Sequence, residues 1–142
     1  MKVSARNVFK GNISALRPGT VNAEVEIALG GGDALVAIVT MESMKTLELA
    51  EGKEVMALVK APWVMVMTEA DGITLSARNT LRGTVKSVEN GAVNSEVLIS
   101  LPGGTEVAAV VTKDAVGELG LRPGVAATAV IKASNVILGV PA

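Results

Sequence analysis

Two short stretches carry side chains that could do chemistry. Ser4-Ala5-Arg6 offers a hydroxyl, backbone amides and a guanidinium, and Ser76-Ala77-Arg78 repeats it 72 residues later. Thr40, Ser43 and Lys60 add two hydroxyls and an ammonium, and Thr112, Ala115 and Lys132 stand at the same offset. Thr40 and Thr112 each precede a segment that reads as the start of a short helix, where free N–H groups favour an anion. Hydroxyls, cations and free amides form an inventory for an oxyanion. A tetrahedral dianion needs many donors around four oxygens, and charge-assisted hydrogen bonds to it contribute about 1.5–3 kcal/mol each. No metal ligated directly by a protein atom is expected. Glu42 and Asp114, beside the proposed anion, count against it. At Ala115 the second copy lacks the hydroxyl that Ser43 offers in the first.

Other chemistries are excluded by composition. The chain has no Cys and no His, which removes disulfides, Cys/His metal sites and His-based proton transfer. Glu24 and Glu96 recur, but each lies in an alternating segment on its presumed solvent face, and acid–base work needs burial that raises a carboxyl pKa. No catalytic residue and no cofactor are expected, and an enzyme is the least favoured class. The five methionines between Met41 and Met67 read as core filler.

These residues must be positioned by a fold that is written twice. Residues 4–67 match residues 76–139 without a gap, with Gly11 on Gly83, Gly19 on Gly91 and Gly31-Gly32 on Gly103-Gly104. Glycines in register mean turns in register. Two domains are therefore expected, 1–70 and 71–142, joined by a polar turn at Thr68–Gly72. Asn12–Leu16 is short and mixed. Val21, Ala23, Val25, Ile27 and Leu29 alternate with polar or small residues and predict a half-buried strand. Gly30–Asp33 reads as a hairpin loop, and Leu35–Val39 as a return strand apolar enough to be buried on both faces. Thr40 predicts the N-cap of one or two helical turns. Val55–Lys60 and Val64–Met67 complete the half, with Pro62 at an edge or bend. The second half follows suit, with Thr112 as the cap. Five short strands and one short helix per half predict an all-β protein of two tandem OB-like five-stranded Greek-key barrels. An open sandwich is the alternative.

Each half is small for a stable core, so further burial through oligomerisation is expected. The net charge is −1 with signs interspersed, and there are one Phe, one Trp and no Tyr. An OB-fold nucleic-acid-binding module, the alternative function, stacks bases on aromatics along a basic groove, and both are missing. No apolar run reaches the ~18 residues of a membrane span. The N-terminus lacks the apolar core of a signal peptide, which makes the cytoplasm the expected compartment.

Taken together, Ser-Ala-Arg-Asn, Gly-x-Val-Asn-x-Glu-Val, Val-Thr-x-x-Ser and Leu-Val-Lys-Ala-Pro-Trp resemble the molbindin (Mop) family of small cytoplasmic molybdate-binding proteins, in tandem form. The resemblance implies OB-like barrels, a six-domain assembly and hence a homotrimer of a two-domain chain, with no nucleic acid or membrane partner. It implies molybdate, or tungstate, bound between domains and subunits for storage or homeostasis. Carried over, one wall of a site uses Ser4, Ala5 and Arg6, and the other uses Thr40, Ser43 and Lys60 of a neighbouring domain. The second copy uses Ser76, Ala77, Arg78, Thr112, Ala115 and Lys132. A second class of anion site is implied near the symmetry axis, from Thr20, Val21 and Asn22 and from Ala92, Val93 and Asn94.

Overall fold

The computed structural model of the chain describes residues 1–69 and 71–142. Ala70, inside the expected link Thr68–Gly72, lies outside the described residues. The first half contains β1 (Asn7–Pro18), β2 (Asn22–Gly30), β3 (Asp33–Thr40), α1 (Met41–Thr46), β4 (Glu54–Val59) and β5 (Met65–Met67). The second contains β6 (Asn79–Asn90), β7 (Asn94–Ser100), β8 (Glu106–Thr112), α2 (Lys113–Leu119), β9 (Ala126–Ile131) and β10 (Ile137–Gly139). One 3-10 turn precedes each last strand, at Ala61–Trp63 and Ala133–Asn135. Pro62 sits in the first of these, where its missing N–H costs no hydrogen bond. The two halves follow one plan of five strands and one short helix, arranged as OB-like barrels.

β1 and β6 are longer than the short mixed stretch expected around Asn12–Leu16. Their alternation is hidden by two irregularities. The β1–β2 register slips between Ile13 and Ala15, a bulge that leaves Ser14 unpaired. Gly11 has no room for a side chain, because a Cβ there would run into the Ala28 carbonyl. With these devices β1 serves two partners. Its first half pairs with β4, from Asn7↔Val59 to Asn12↔Glu54, and its second half pairs with β2. Gly83 and the slip between Val85 and Ser87 repeat the arrangement in β6.

The sheets do not follow the sequence repeat. One has the strand order β10-β4-β1-β2-β3 and the other β5-β9-β6-β7-β8. Each barrel thus takes its fifth strand from the other half, with Ile137↔Leu58 in one and Met65↔Val130 in the other. A single hydrophobic cluster runs through both, from Phe9, Val25 and Leu35 to Val97, Val107 and Leu138. Much of the burial that each half lacks comes from the other half. β3 lies at a sheet edge and is not buried on both faces. Leu35 and Ala37 point into the core, while Ala34 is exposed and Val36 and Ile38 are half-buried. Met65, expected in the core, is 59% exposed, because β5 crosses to the rim of the other sheet.

The edges are covered across the seam. The Asn7 amide donates to the Ala108 carbonyl at 2.8 Å and accepts from the Ala108 N–H at 2.7 Å. Asn79 makes the same pair of bonds with Val36, both at 2.7 Å. Each Asn side chain stands in for a strand partner on an otherwise open edge. Where the hairpin loops meet, Asp33 Oδ1 accepts from the Gly103 N–H at 2.9 Å and Oδ2 from the Thr105 N–H at 3.1 Å.

Candidate functional site

The strand pairing dictates which expected site residues meet. Asn7↔Val59 places the stretch before β1 beside the stretch after β4, so Ser4 and Ala5 lie next to Lys60. These three line a cavity of about 160 Å³ with Val3, Leu58, Trp63 and Ile137. Asn79↔Ile131 does the same in the second half. There Ser76, Ala77, Arg78 and Lys132 share a cavity of about 320 Å³ with Ser134, Ile38 and Met65. Within one chain Lys60 therefore lies on the same side as Ser4 and Ala5. The reason is local: motif and lysine are the two loose ends of one antiparallel strand pair.

Crosswise contacts bring the other half up to each motif. Asn79 fixes the second-half motif onto β3, and Arg78 forms an ion pair with Glu24 on β2. Ile38 of β3 lines the Lys132 cavity, and the strand continues two residues along the same face, about 7 Å, to Thr40. By the same logic Asn7 fixes the first-half motif onto β8, which ends at Thr112, and Arg6 pairs with Glu96 of β7 at 2.8 Å. β3 thus runs on from the Ser76 motif toward Thr40, and β8 runs on from the Ser4 motif toward Thr112. Neither Thr40 nor Ser43 lines either lysine cavity.

Both helix starts are formed as the sequence predicts. Thr40 Oγ1 accepts from the Ser43 N–H at 3.0 Å, and the Thr40 hydroxyl is 2.9 Å from Ser43 Oγ. Thr112 Oγ1 accepts from the Ala115 N–H at 3.0 Å. The two hydroxyls of the first pair carry two protons and spend one on each other. Thr112, with no neighbouring hydroxyl at Ala115, keeps its single proton. Both helix starts therefore retain one hydroxyl donor.

The second-class residues adjoin these caps. The Val21 carbonyl accepts from the Met41 N–H and the Val93 carbonyl from the Lys113 N–H, both at 2.8 Å, while Asn22 faces Thr40 and Asn94 faces Thr112. Thr20, Val21, Asn22, Ala92, Val93 and Asn94 are all exposed. Asn94 borders an open hollow with Glu89 and Glu96, carboxylates that disfavour an anion.

The sequence reading missed Asn7, Asn79, Glu24 and Glu96. The two asparagines are only 2% and 1% exposed, yet they stand beside the donors and hold them across the seam. Their signal was present, since each completes the repeated Ser-Ala-Arg-Asn. Glu24 and Glu96 orient the arginines; Glu24 also takes Arg17 at 2.9 Å. Lys60 lies 5.7 Å from the centre of the Trp63 ring. Among the described residues no cluster of three acidic side chains could hold a bare metal ion, and no helix is long and apolar enough to cross a membrane.

Comparison with known proteins agrees with the repeat. The TOBE domain model matches residues 3–66 and again 75–138. The chain is 50% identical over 140 residues to the molybdenum transport protein ModE of Azotobacter vinelandii, covering 99% of this chain and 52% of that protein. It is 43% identical over 141 residues to the molybdenum-pterin-binding protein MopA of Rhodobacter capsulatus, covering 99% and 53%. The chain thus spans about half the length of both relatives. A crystal structure of the cytoplasmic molybdate-binding protein ModG with molybdate bound superposes with a TM-score of 0.95 at 67% identity, over 99% of this chain and all of that one. The chain belongs to the TOBE domain family, as a tandem pair of the Mop kind.

Proposed function

We propose that this protein binds molybdate, and tungstate with it, as an intracellular store or buffer, and performs no catalysis. One observation carries the reading: Ser76, Ala77, Arg78 and Lys132 converge on a single cavity at the seam between the halves, with Ser4, Ala5 and Lys60 converging on its counterpart. A hydroxyl, backbone amides and an ammonium replace the water around a dianion, and a cavity of this size admits a small tetrahedral ion. Thr40, Ser43, Thr112 and Ala115, which line neither cavity within one chain, complete the sites from a neighbouring domain. End-to-end likeness to molybdate-bound ModG supports the choice of ion.

The sites are completed by other copies of the chain in a homotrimer. Apolar residues stay exposed at matching places in both halves, Val21 with Val93 at 71% and 72%, and Met65 with Ile137 at 59% and 53%. Recurrence of this kind suits a surface used twice around an assembly axis. The cytoplasm is the compartment we infer, in keeping with the cytoplasmic description of ModG. A nucleic-acid module is disfavoured by a net charge of −1 and two aromatic residues in all.

Equilibrium dialysis against molybdate, with sulfate as competitor, tests the reading. Saturable uptake that sulfate does not displace is expected. Absent uptake, or equal displacement by sulfate, overturns it. Native mass measurement on the same sample is expected to give three chains with bound anion.

A further inference from the structure

The two lysine cavities are built from equivalent backbone and unequal side chains. At the position of Pro62-Trp63 in the first half, the second half has Ser134-Asn135. In the first cavity the Lys60 ammonium sits 5.7 Å from the Trp63 ring centre, within reach of a cation–π interaction. Ser4, Ala5, Val3, Leu58 and Ile137 complete the cavity's lining, and Arg6, paired with Glu96 as Arg78 is with Glu24, is not part of it. In the second cavity Lys132 has no ring beside it at Asn135, Ser134 adds a hydroxyl, Arg78 lines the wall, and the volume is about twice as large.

We propose that Trp63 is a positioning residue that holds Lys60 against its ring and so makes the cavities unequal, with oxyanion filling the Lys132 cavity before the Lys60 cavity. The proposal rests on the oxyanion-binding reading. An anion entering the first cavity competes with the ring for the Lys60 ammonium, whereas among the described residues Lys132 has no ion-pair or ring partner, and Ser134 supplies a further donor.

Trp63 is the only tryptophan, so its emission reports the first cavity alone. The full chain is titrated with sodium molybdate while bound anion is read by dialysis and Trp63 emission in parallel. Early uptake is expected with steady emission, and the emission change with the later equivalents. Trp63→Asn, which copies Asn135, is expected to tighten the late class by about twofold to fivefold, the worth of an exposed cation–π contact. Trp63→Phe keeps a ring and most of the inequality. Ser134→Ala is expected to weaken the early class by about tenfold. A purely structural tryptophan would weaken binding in both Trp63 variants and tighten it in neither. Emission that tracks uptake from the first equivalent, or that stays flat through saturation, overturns the inequality and leaves oxyanion binding standing. No uptake at all overturns both.

Discussion

Two contacts join the halves, and they treat the repeat differently. The asparagine clamps are made twice, Asn7 on Ala108 and Asn79 on Val36, with the same bonds at nearly the same lengths. The hairpin contact is made once. Gly31 meets its own mate Gly103, and Asp33 meets its mate Thr105. Equivalent residues face each other only where a pseudo-twofold axis passes. Away from the axis a good contact can be duplicated without cost. On it, a residue must pair with its own copy, and two facing carboxylates would repel. A covalent tandem can place Asp on one side and Thr on the other, which a dimer of identical single domains cannot do.

The largest test of this comparison removes the covalent link. Residues 1–70 alone contain β5, whose partner β9 is missing, and an open β4 edge that normally receives β10. No stable monomer is expected from this fragment; it should be unfolded or should pair with a second copy. Cooperative thermal unfolding of a monomeric fragment, followed by circular dichroism and light scattering, would show that strand exchange is dispensable.

The next effect is at a duplicated clamp. Asn79→Ala removes two hydrogen bonds and leaves the Val36 N–H and C=O without their partner in a part-buried site, a loss of roughly 2–4 kcal/mol. Asn7→Ala is expected to cost a similar amount, because the two clamps are copies. Chemical denaturation of both variants checks this, and a large difference between them would break the equivalence.

The clamps also show what was legible in the sequence and what was not. Ungapped recurrence revealed the two-fold plan, and period-two alternation found β2 and β7, because one face of each meets the core. Thr40 and Thr112 were readable as caps, since capping is a local interaction. The exchange of β5 and β10 was not readable. A three-residue strand pairs equally well with its own half or with the other, and only the space available to the chain decides. The same holds for the crosswise site. Ser-Ala-Arg and Lys recur together, but their meeting depends on the pairing of β1 with β4. The contacts that bring the other half up to them depend on Asn7 and Asn79 crossing the seam. Glu24 and Glu96 alternate like solvent-facing residues, and nothing local says that an arginine 54 or 90 residues away will reach them.

The one-sided contact predicts a pH dependence with no counterpart in the clamps. Burial pushes the Asp33 carboxyl upward, but hydrogen bonds from the Thr105 hydroxyl and from the Thr105 and Gly103 N–H groups outweigh it and hold the pKa below its ordinary value. A carboxylate depressed in the folded state adds stability above its unfolded pKa of about 3.9, and that stability is lost as pH falls through the folded value. Asp33→Asn is expected to be less stable than the parent by about 1–2 kcal/mol at neutral pH, with the gap closing below about pH 4. Denaturation series at several pH values test it. A gap that persists unchanged in acid would mean that the charge of Asp33 is irrelevant to the contact.

The smallest effect separates the two arginine–glutamate pairs. Glu24 receives Arg78 across the seam and Arg17 from its own sheet, whereas Glu96 receives Arg6, and Glu89 replaces Arg17 at the equivalent place. The arginines are more than half exposed, so solvent screens these pairs, and each contributes at most about 1 kcal/mol. Glu24→Gln should therefore cost more than Glu96→Gln, with both below about 1 kcal/mol and both reduced by salt. The functional consequence runs along the same line. Glu24 braces an arginine that lines the Lys132 cavity, while Glu96 braces one that does not line the Lys60 cavity. Molybdate affinity in the early-filling class should respond to Glu24→Gln and be indifferent to Glu96→Gln. Parallel dialysis isotherms of the two variants decide it, since equal responses would mean that the carboxylates act as general surface charge and not as braces for individual arginines.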